Sequence, residues 1–372
     1  MLAQIFPFVL TAAGVACAAT SNSEARSLYV DVAPTYLRPY VIQHYASAQG
    51  ITIGPQYYRF YVTGPSSNHA FTLMGTNAPQ SSDLGVLPHH HQRHFENFFN
   101  LKGRFQLFAE PKGSGEQEAR TLTQHDFGAV PRNATHTFKI LDPDTEISGF
   151  IVPGGFEDLF LEALGGTNVT STTHTPYVPT PNTNSSTTGP DAGTIASLQE
   201  YDVYAETAFV AEVNTSVFPA NATWHTDANT LGEANEPYFV ANGWGAKYLN
   251  SQAGYQIIQP LVSPAQSQDT NFTLSLITIN KQSANITLPS WNLPGTAAFQ
   301  VLEGQLSIEI EGYPTASLLA GDVVLIPGNI TYKYWSDVAF TKAVYISGGT
   351  EGVDQQLIKG AREWDYVVFP ME

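Results

Sequence analysis

The sequence predicts an all-β protein made of two copies of one module, on three observations: its composition, strand-like runs in both halves, and a gapless internal repeat. The 372 residues are 12% aromatic and only 13% charged, with 24 Pro and 30 Gly, a balance that favours pleated strands joined by many turns. That length allows two domains, each with its own core. Apolar and aromatic runs fall at 57–62, 70–74, 105–108 and 147–152, and again at 255–261, 272–279, 305–310 and 323–326. Between them, residues 165–195 are rich in Thr, Ser, Pro, Asn and Gly and follow neither the helical nor the strand period, as an interdomain linker does. The expected division is a first domain over 20–164 and a second over 196–372.

The repeat carries the most weight. Laying 71–105 on 272–306 matches nine of 35 positions, where unrelated segments of ordinary composition match at about two. Phe71, Leu73, Leu87, Pro88, Phe98, Leu101 and Gly103 recur as Phe272, Leu274, Leu288, Pro289, Phe299, Leu302 and Gly304. A second block lays 126–131 on 322–327. The chain is a tandem duplication of one β module.

Charge and the chain's start bound the partners. Thirty-three acidic against 16 basic residues give a formal charge of -17, without a Lys/Arg cluster to neutralise a row of phosphates, so nucleic acid is excluded as a partner. Residues 1–19 are uncharged, contain an apolar run and end in small residues, the pattern of a cleaved secretory signal. Nothing later supplies the roughly 20 consecutive apolar residues of a membrane helix. The one cysteine, Cys17, lies inside that signal, so the mature chain is expected to have no disulfide. Eight N-x-S/T sequons, at Asn133, Asn168, Asn184, Asn214, Asn221, Asn271, Asn285 and Asn329, fit a secreted glycoprotein.

Chemistry concentrates in PHHHQRHFENFF. On a strand, His89 and His91 share a face and His90 points the other way. Glu96 follows after a turn or bulge, Gly103 seven residues later suits a hairpin corner, and His136 lies five residues beyond Pro131. Three imidazoles and a carboxylate suit Cu, Fe, Ni, Mn or Co, and the Irving–Williams order favours Cu(II). Four His within six residues would also describe an exposed loop that binds metals without purpose. The repeat argues otherwise: His89, His91, Glu96 and His136 face Ser290, Asn292, Ala297 and Tyr332, so all four are replaced together while the framework persists. His69, His90, His94, His125 and His174 read as surface, turn or supporting residues.

The spacing HxHxxxxExxxxxxG followed by P-x4-H resembles the paired signatures of the cupin superfamily, whose fold is a small jelly-roll barrel. In PHHHQRHFENFFNLKGRFQLF, VPRNATHTF, VPGGFEDLF, PYFVANGWGAKYLNS and EGQLSIEIEGYPTASLLAGDVVLIPG, the chain is similar to fungal quercetin 2,3-dioxygenases over nearly its whole length. That resemblance implies two tandem cupin domains and one copper per chain, held in the first domain by His89, His91, Glu96 and His136. It further implies O2-dependent opening of the flavonol heterocycle with release of carbon monoxide and a depside, with Glu96 as the base toward the 3-hydroxyl. Residues matching the family's substrate pocket are Tyr58, Met74, Thr76, Phe98 and Phe138, with Ile147 where Met is expected. Phe98 and Phe138 stand two residues from a ligand and so share its face. The partners are then a flavonol and O2, with a homodimer left open. Two other functions fit a bicupin: oxidation or decarboxylation of oxalate or an enediol, and metal binding without turnover.

Overall fold

The computed structural model describes residues 27–44, 49–170, 192–212 and 229–371. The predicted signal, and residues 171–191 of the predicted linker, lie outside them. Each half is a large antiparallel sheet facing a small one. The first large sheet runs in the order Thr167–Thr170, Gln49–Ile53, Gln56–Val62, Thr72–Ala78, Thr145–Val152, Phe95–Lys102, Phe127–Val130, Tyr238–Val240. Its small partner has the order Tyr204–Ala205, His89–His90, Thr135–Ile140, Phe105–Glu110, Glu118–Leu122. In the second half an eight-stranded sheet centred on Phe340–Gly348 and Phe272–Asn280 faces Ala316–Leu318, Leu306–Ile310 and Tyr332–Ser336. This is the all-β, two-cupin fold expected from the sequence.

The repeat is visible residue by residue. Thr72–Ala78 corresponds to Phe272–Asn280 and Phe95–Lys102 to Ala297–Glu303, while a short helix capped by Thr63 in one copy is capped by Ser263 in the other. Gly103 and Gly304 both take positive φ, 69° and 77°, at the corner leading into the next strand. A Cβ there would sit 2.8 Å from the Asp144 carbonyl oxygen or 2.2 Å from that of Phe340, so both corners require glycine.

Side-chain alternation places the two faces. Along Phe95–Lys102, Phe95 and Phe99 join a core shared with the other half, while Glu96 and Phe98 point into the first barrel. The shared core brings Tyr61, Phe71, Leu73 and Phe150 onto Leu261, Phe272, Leu276 and Ile346, with Phe95 edge-on to Phe272 at 5.2 Å. The two large sheets therefore pack face to face.

Three short strands cross between the halves: Tyr204–Ala205, already placed in the first small sheet, and two that exchange between the large sheets. Tyr40–Ile42 pairs with Val323–Ile326 in the second sheet, and Tyr238–Val240 pairs with Phe127–Val130 in the first. Their partners are the two segments matched by the second repeat block, so the exchange follows the duplication. Each of these two exchanged strands also stays tied to its own half: Tyr40 donates its hydroxyl to the Tyr61 carbonyl (2.9 Å), and Tyr238 to that of Leu261 (2.7 Å). Both carbonyls lie at β-bulges, where the ladder leaves a group without its regular partner. Strands thus pair across the expected divisions at 164 and 196.

Candidate metal centre

His89 lies directly opposite His136 on adjacent antiparallel strands, with ring centroids 4.3 Å apart. His91 sits just past the two-residue strand His89–His90, and the bend at Gln92 and Arg93 turns the chain into Phe95–Lys102, which delivers Glu96. One ligand atom from each of His89, His91, Glu96 and His136 lies within 4.8 Å of the others. The Glu96 side chain is 12% exposed, while those of His91 and His136 are buried.

Backbone carbonyls set the imidazole tautomers. Nδ1 of His89 meets the Leu87 oxygen at 2.7 Å, Nδ1 of His91 the Asp202 oxygen at 2.7 Å, and Nδ1 of His136 the Ala134 oxygen at 3.2 Å. A carbonyl only accepts, so each Nδ1 carries the proton and a neutral ring keeps its lone pair on Nε2. Glu96 Oε2 lies 2.8 Å from His136 Nε2 and 3.1 Å from His91 Nε2. Contacts between such acceptors need positive charge, either a second proton on each ring or a metal cation among them. The donor set therefore fits a metal, which takes neutral imidazole nitrogen and ionised carboxylate. Burial, reinforced by His136 and His91, pushes His89 well below the ordinary imidazole range and keeps it neutral. Burial alone would raise the Glu96 carboxyl, but the contacts with His136 and His91 outweigh it and hold the group well below the usual carboxylate range.

A cavity of about 450 Å³ opens from His89, Glu96 and His136. Tyr58, Met74, Thr76, Phe98, Phe138 and Ile147 all line it. They do so because Tyr58, Met74, Thr76 and Ile147 take the inward positions of three adjacent strands, in register with Glu96 and Phe98. Phe98 and Phe138 meet edge to face at 6.2 Å. Gly85 backs Phe138 so closely that a Cβ would lie 2.1 Å from the ring. Inside the mouth, the Tyr58 hydroxyl donates to Gln56 (2.8 Å), whose amide in turn donates to the Gly85 carbonyl.

The sequence reasoning missed part of the wall. Phe156, Leu159 and Phe160 come from VPGGFEDLFLEAL, and Leu198 and Val203 from the segment after the linker. The first three stand in a motif already singled out for its family resemblance; the last two carry no local signal. Of the remaining histidines, His90, His94 and His125 are buried, so a surface role is excluded for them. His90 stacks on Tyr204 and pairs with Glu206 at 2.7 Å. His94 bonds Asp202, and His125, stacked on Phe99, is pushed down to about 4 by burial and by Lys342. His69 occupies a left-handed turn, and His174 lies outside the described residues.

Two jelly-roll modules, one of them with three imidazoles and a carboxylate at the end of an apolar cavity, define a bicupin whose first barrel can hold a metal ion. Solved structures agree on the fold. An oxalate decarboxylase from Bacillus subtilis superposes with a TM-score of 0.52 over 86% of this chain and 79% of its own, at 13% identity. The oxalate decarboxylase of Lactobacillus farciminis gives 0.50 over 82% and 85%, at 12% identity. At such identities the likeness is one of architecture alone. No protein-family model matches the chain. Curated relatives are more specific: the quercetin 2,3-dioxygenase of Aspergillus japonicus is 54% identical over 352 residues, spanning 94% of this chain and all of the relative. A Bacillus subtilis quercetin 2,3-dioxygenase is 27% identical over 124 residues, about a third of each chain. The chain belongs to the quercetin 2,3-dioxygenase family.

Proposed function

We propose that this protein is a copper-dependent dioxygenase that opens the heterocyclic ring of quercetin and related flavonols with O2, releasing carbon monoxide and a depside. The observation that carries the proposal is the junction of the His89, His91, Glu96 and His136 cluster with a cavity walled by Tyr58, Met74, Phe98, Phe138 and Ile147. Copper held on those four side chains supplies a Lewis acid toward the flavonol 3-oxygen and an acceptor for electron density from the ring. Glu96 stands at the end of the cavity as an ionised carboxylate and takes the 3-hydroxyl proton. Phe98 and Phe138 hold a flat ring against that carboxylate, and the apolar walls keep water from the opened ring. The reaction balances without an added reductant: both atoms of O2 end in products, and one carbon leaves as carbon monoxide.

The lining argues against oxalate, a small dianion, because no Lys or Arg is among the described residues around this cavity. A non-catalytic metal store has no need for a cavity of this size beside its ligands. The test is to incubate the purified protein with quercetin under air, measuring loss of flavonol absorbance together with carbon monoxide. Equimolar flavonol loss and carbon monoxide are expected; flavonol loss without carbon monoxide contradicts the proposed reaction.

The same proposal makes the enzyme a secreted glycoprotein. Its support is the uncharged apolar start of the chain and the exposure of Asn133, Asn168, Asn271, Asn285 and Asn329, all the sequon asparagines among the described residues. Protein recovered from the medium with Met1 intact would contradict signal cleavage.

A further inference from the structure

Asp202 belongs to the segment that returns from the linker, yet its interactions are with the ligand loop 110 residues earlier. Its carboxylate accepts three successive backbone N–H groups, those of Gln92 (3.0 Å), Arg93 (2.9 Å) and His94 (3.0 Å), and also meets His94 Nδ1 at 2.8 Å. Its own carbonyl accepts from His91 Nδ1. The residue is 1% exposed and takes a left-handed backbone (φ 65°), ending the turn Gln199–Tyr201. On either side of it, Leu198 and Val203 form cavity wall, and Tyr204–Ala205 pairs with His89–His90.

We propose that Asp202 is a positioning residue of the metal centre: its carboxylate clamps the bend between His91 and Glu96, and its carbonyl fixes the tautomer of His91. The bend sets the distance between two ligands that must meet one ion. Three convergent N–H groups in consecutive residues form an anion-binding concavity, and Asp202 fills it with a fixed charge rather than water. Within the trio His91, His94 and Asp202, the carboxylate oxygens and both histidine Nδ1 atoms are engaged in these bonds. Asn at 202 would turn an amide NH2 toward N–H donors. It would keep the size and lose the clamp.

This inference rests on the proposed metal centre, so its test separates the two. Asp202→Asn and Asp202→Ala are compared with wild type and His91→Ala for Cu(II) affinity by chelator competition, Cu(II) hyperfine splitting by electron paramagnetic resonance, and hydrogen exchange at the amides of 92–94. Folding is checked by circular dichroism. Loss of an outer-shell partner lowers metal affinity by about 10- to 100-fold. That loss, a changed hyperfine splitting and faster exchange confined to 92–94 are expected in both Asp202 variants. Asp202 variants within twofold of wild type in affinity, with unchanged splitting, overturn the inference while a weak His91→Ala leaves the metal centre standing. Equal Cu(II) binding by wild type and His91→Ala overturns the metal centre itself. Should neither Asp202 variant fold, wild type decides: the amides of 92–94 exchange as slowly as those of Phe95–Lys102 if clamped, and as fast as exposed turns if not.

Discussion

Glu96 is asked to do two things with one carboxylate. In the proposed function it closes the ligand set with three histidines, and it faces the cavity where a flavonol hydroxyl has to lose its proton. Gln is nearly isosteric and leaves the three imidazoles in place, so copper should stay bound while the proton acceptor disappears. Losing a general base lowers a rate by about 10²- to 10⁴-fold. Glu96→Gln is therefore expected to retain near-stoichiometric copper with turnover reduced in that range, measured on the same preparation beside His91→Ala. A fully active Glu96→Gln enzyme contradicts the base role; a copper-free one shows the residue to be chiefly a ligand. At this scale the sequence is most legible. The shared face of His89 and His91, the turn before Glu96 and the inward positions of Phe98 and Phe138 follow from strand periodicity. Asp202 was not legible, because it meets a loop far away in sequence and three of its partners there are backbone N–H groups, which leave no mark on side-chain pattern.

Among the elements, the crossing strands hold the two halves in register. Tyr40 and Tyr238 each place a buried hydroxyl on a bulge carbonyl of their own half, Tyr61 and Leu261 respectively. Removing the Tyr238 hydroxyl leaves the Leu261 carbonyl buried and without that donor, a cost of about 1–3 kcal/mol. Tyr238→Phe should lower the stability measured by urea unfolding by that amount with an unchanged slope; a loss under about 0.5 kcal/mol would show that the carbonyl finds another partner. The long strands were legible because each carries several apolar residues in period. Tyr40–Ile42 and Tyr238–Val240 have three residues each, too few for a period, and a pairing partner in the other half is invisible to any local pattern. The repeat located both halves while giving no sign that strands pass between them.

At the scale of the whole molecule, the proposed function leaves one barrel of the duplication for chemistry and one for support. Where the first barrel presents His136, the second presents Tyr332, buried with Tyr334, Tyr345 and Phe299 in an aromatic core. Its large sheet buries the back of the strands that carry Glu96, Met74 and Ile147, and so holds the cavity wall from behind. The proposed function requires one copper centre per chain, in the first barrel, carrying flavonol dioxygenation. The direct measurement is a titration of metal-free protein with Cu(II), following carbon monoxide released from quercetin under air after each addition. A linear rise that breaks at one copper per chain and then stays flat is expected. A break at two, or carbon monoxide release independent of copper, would contradict it.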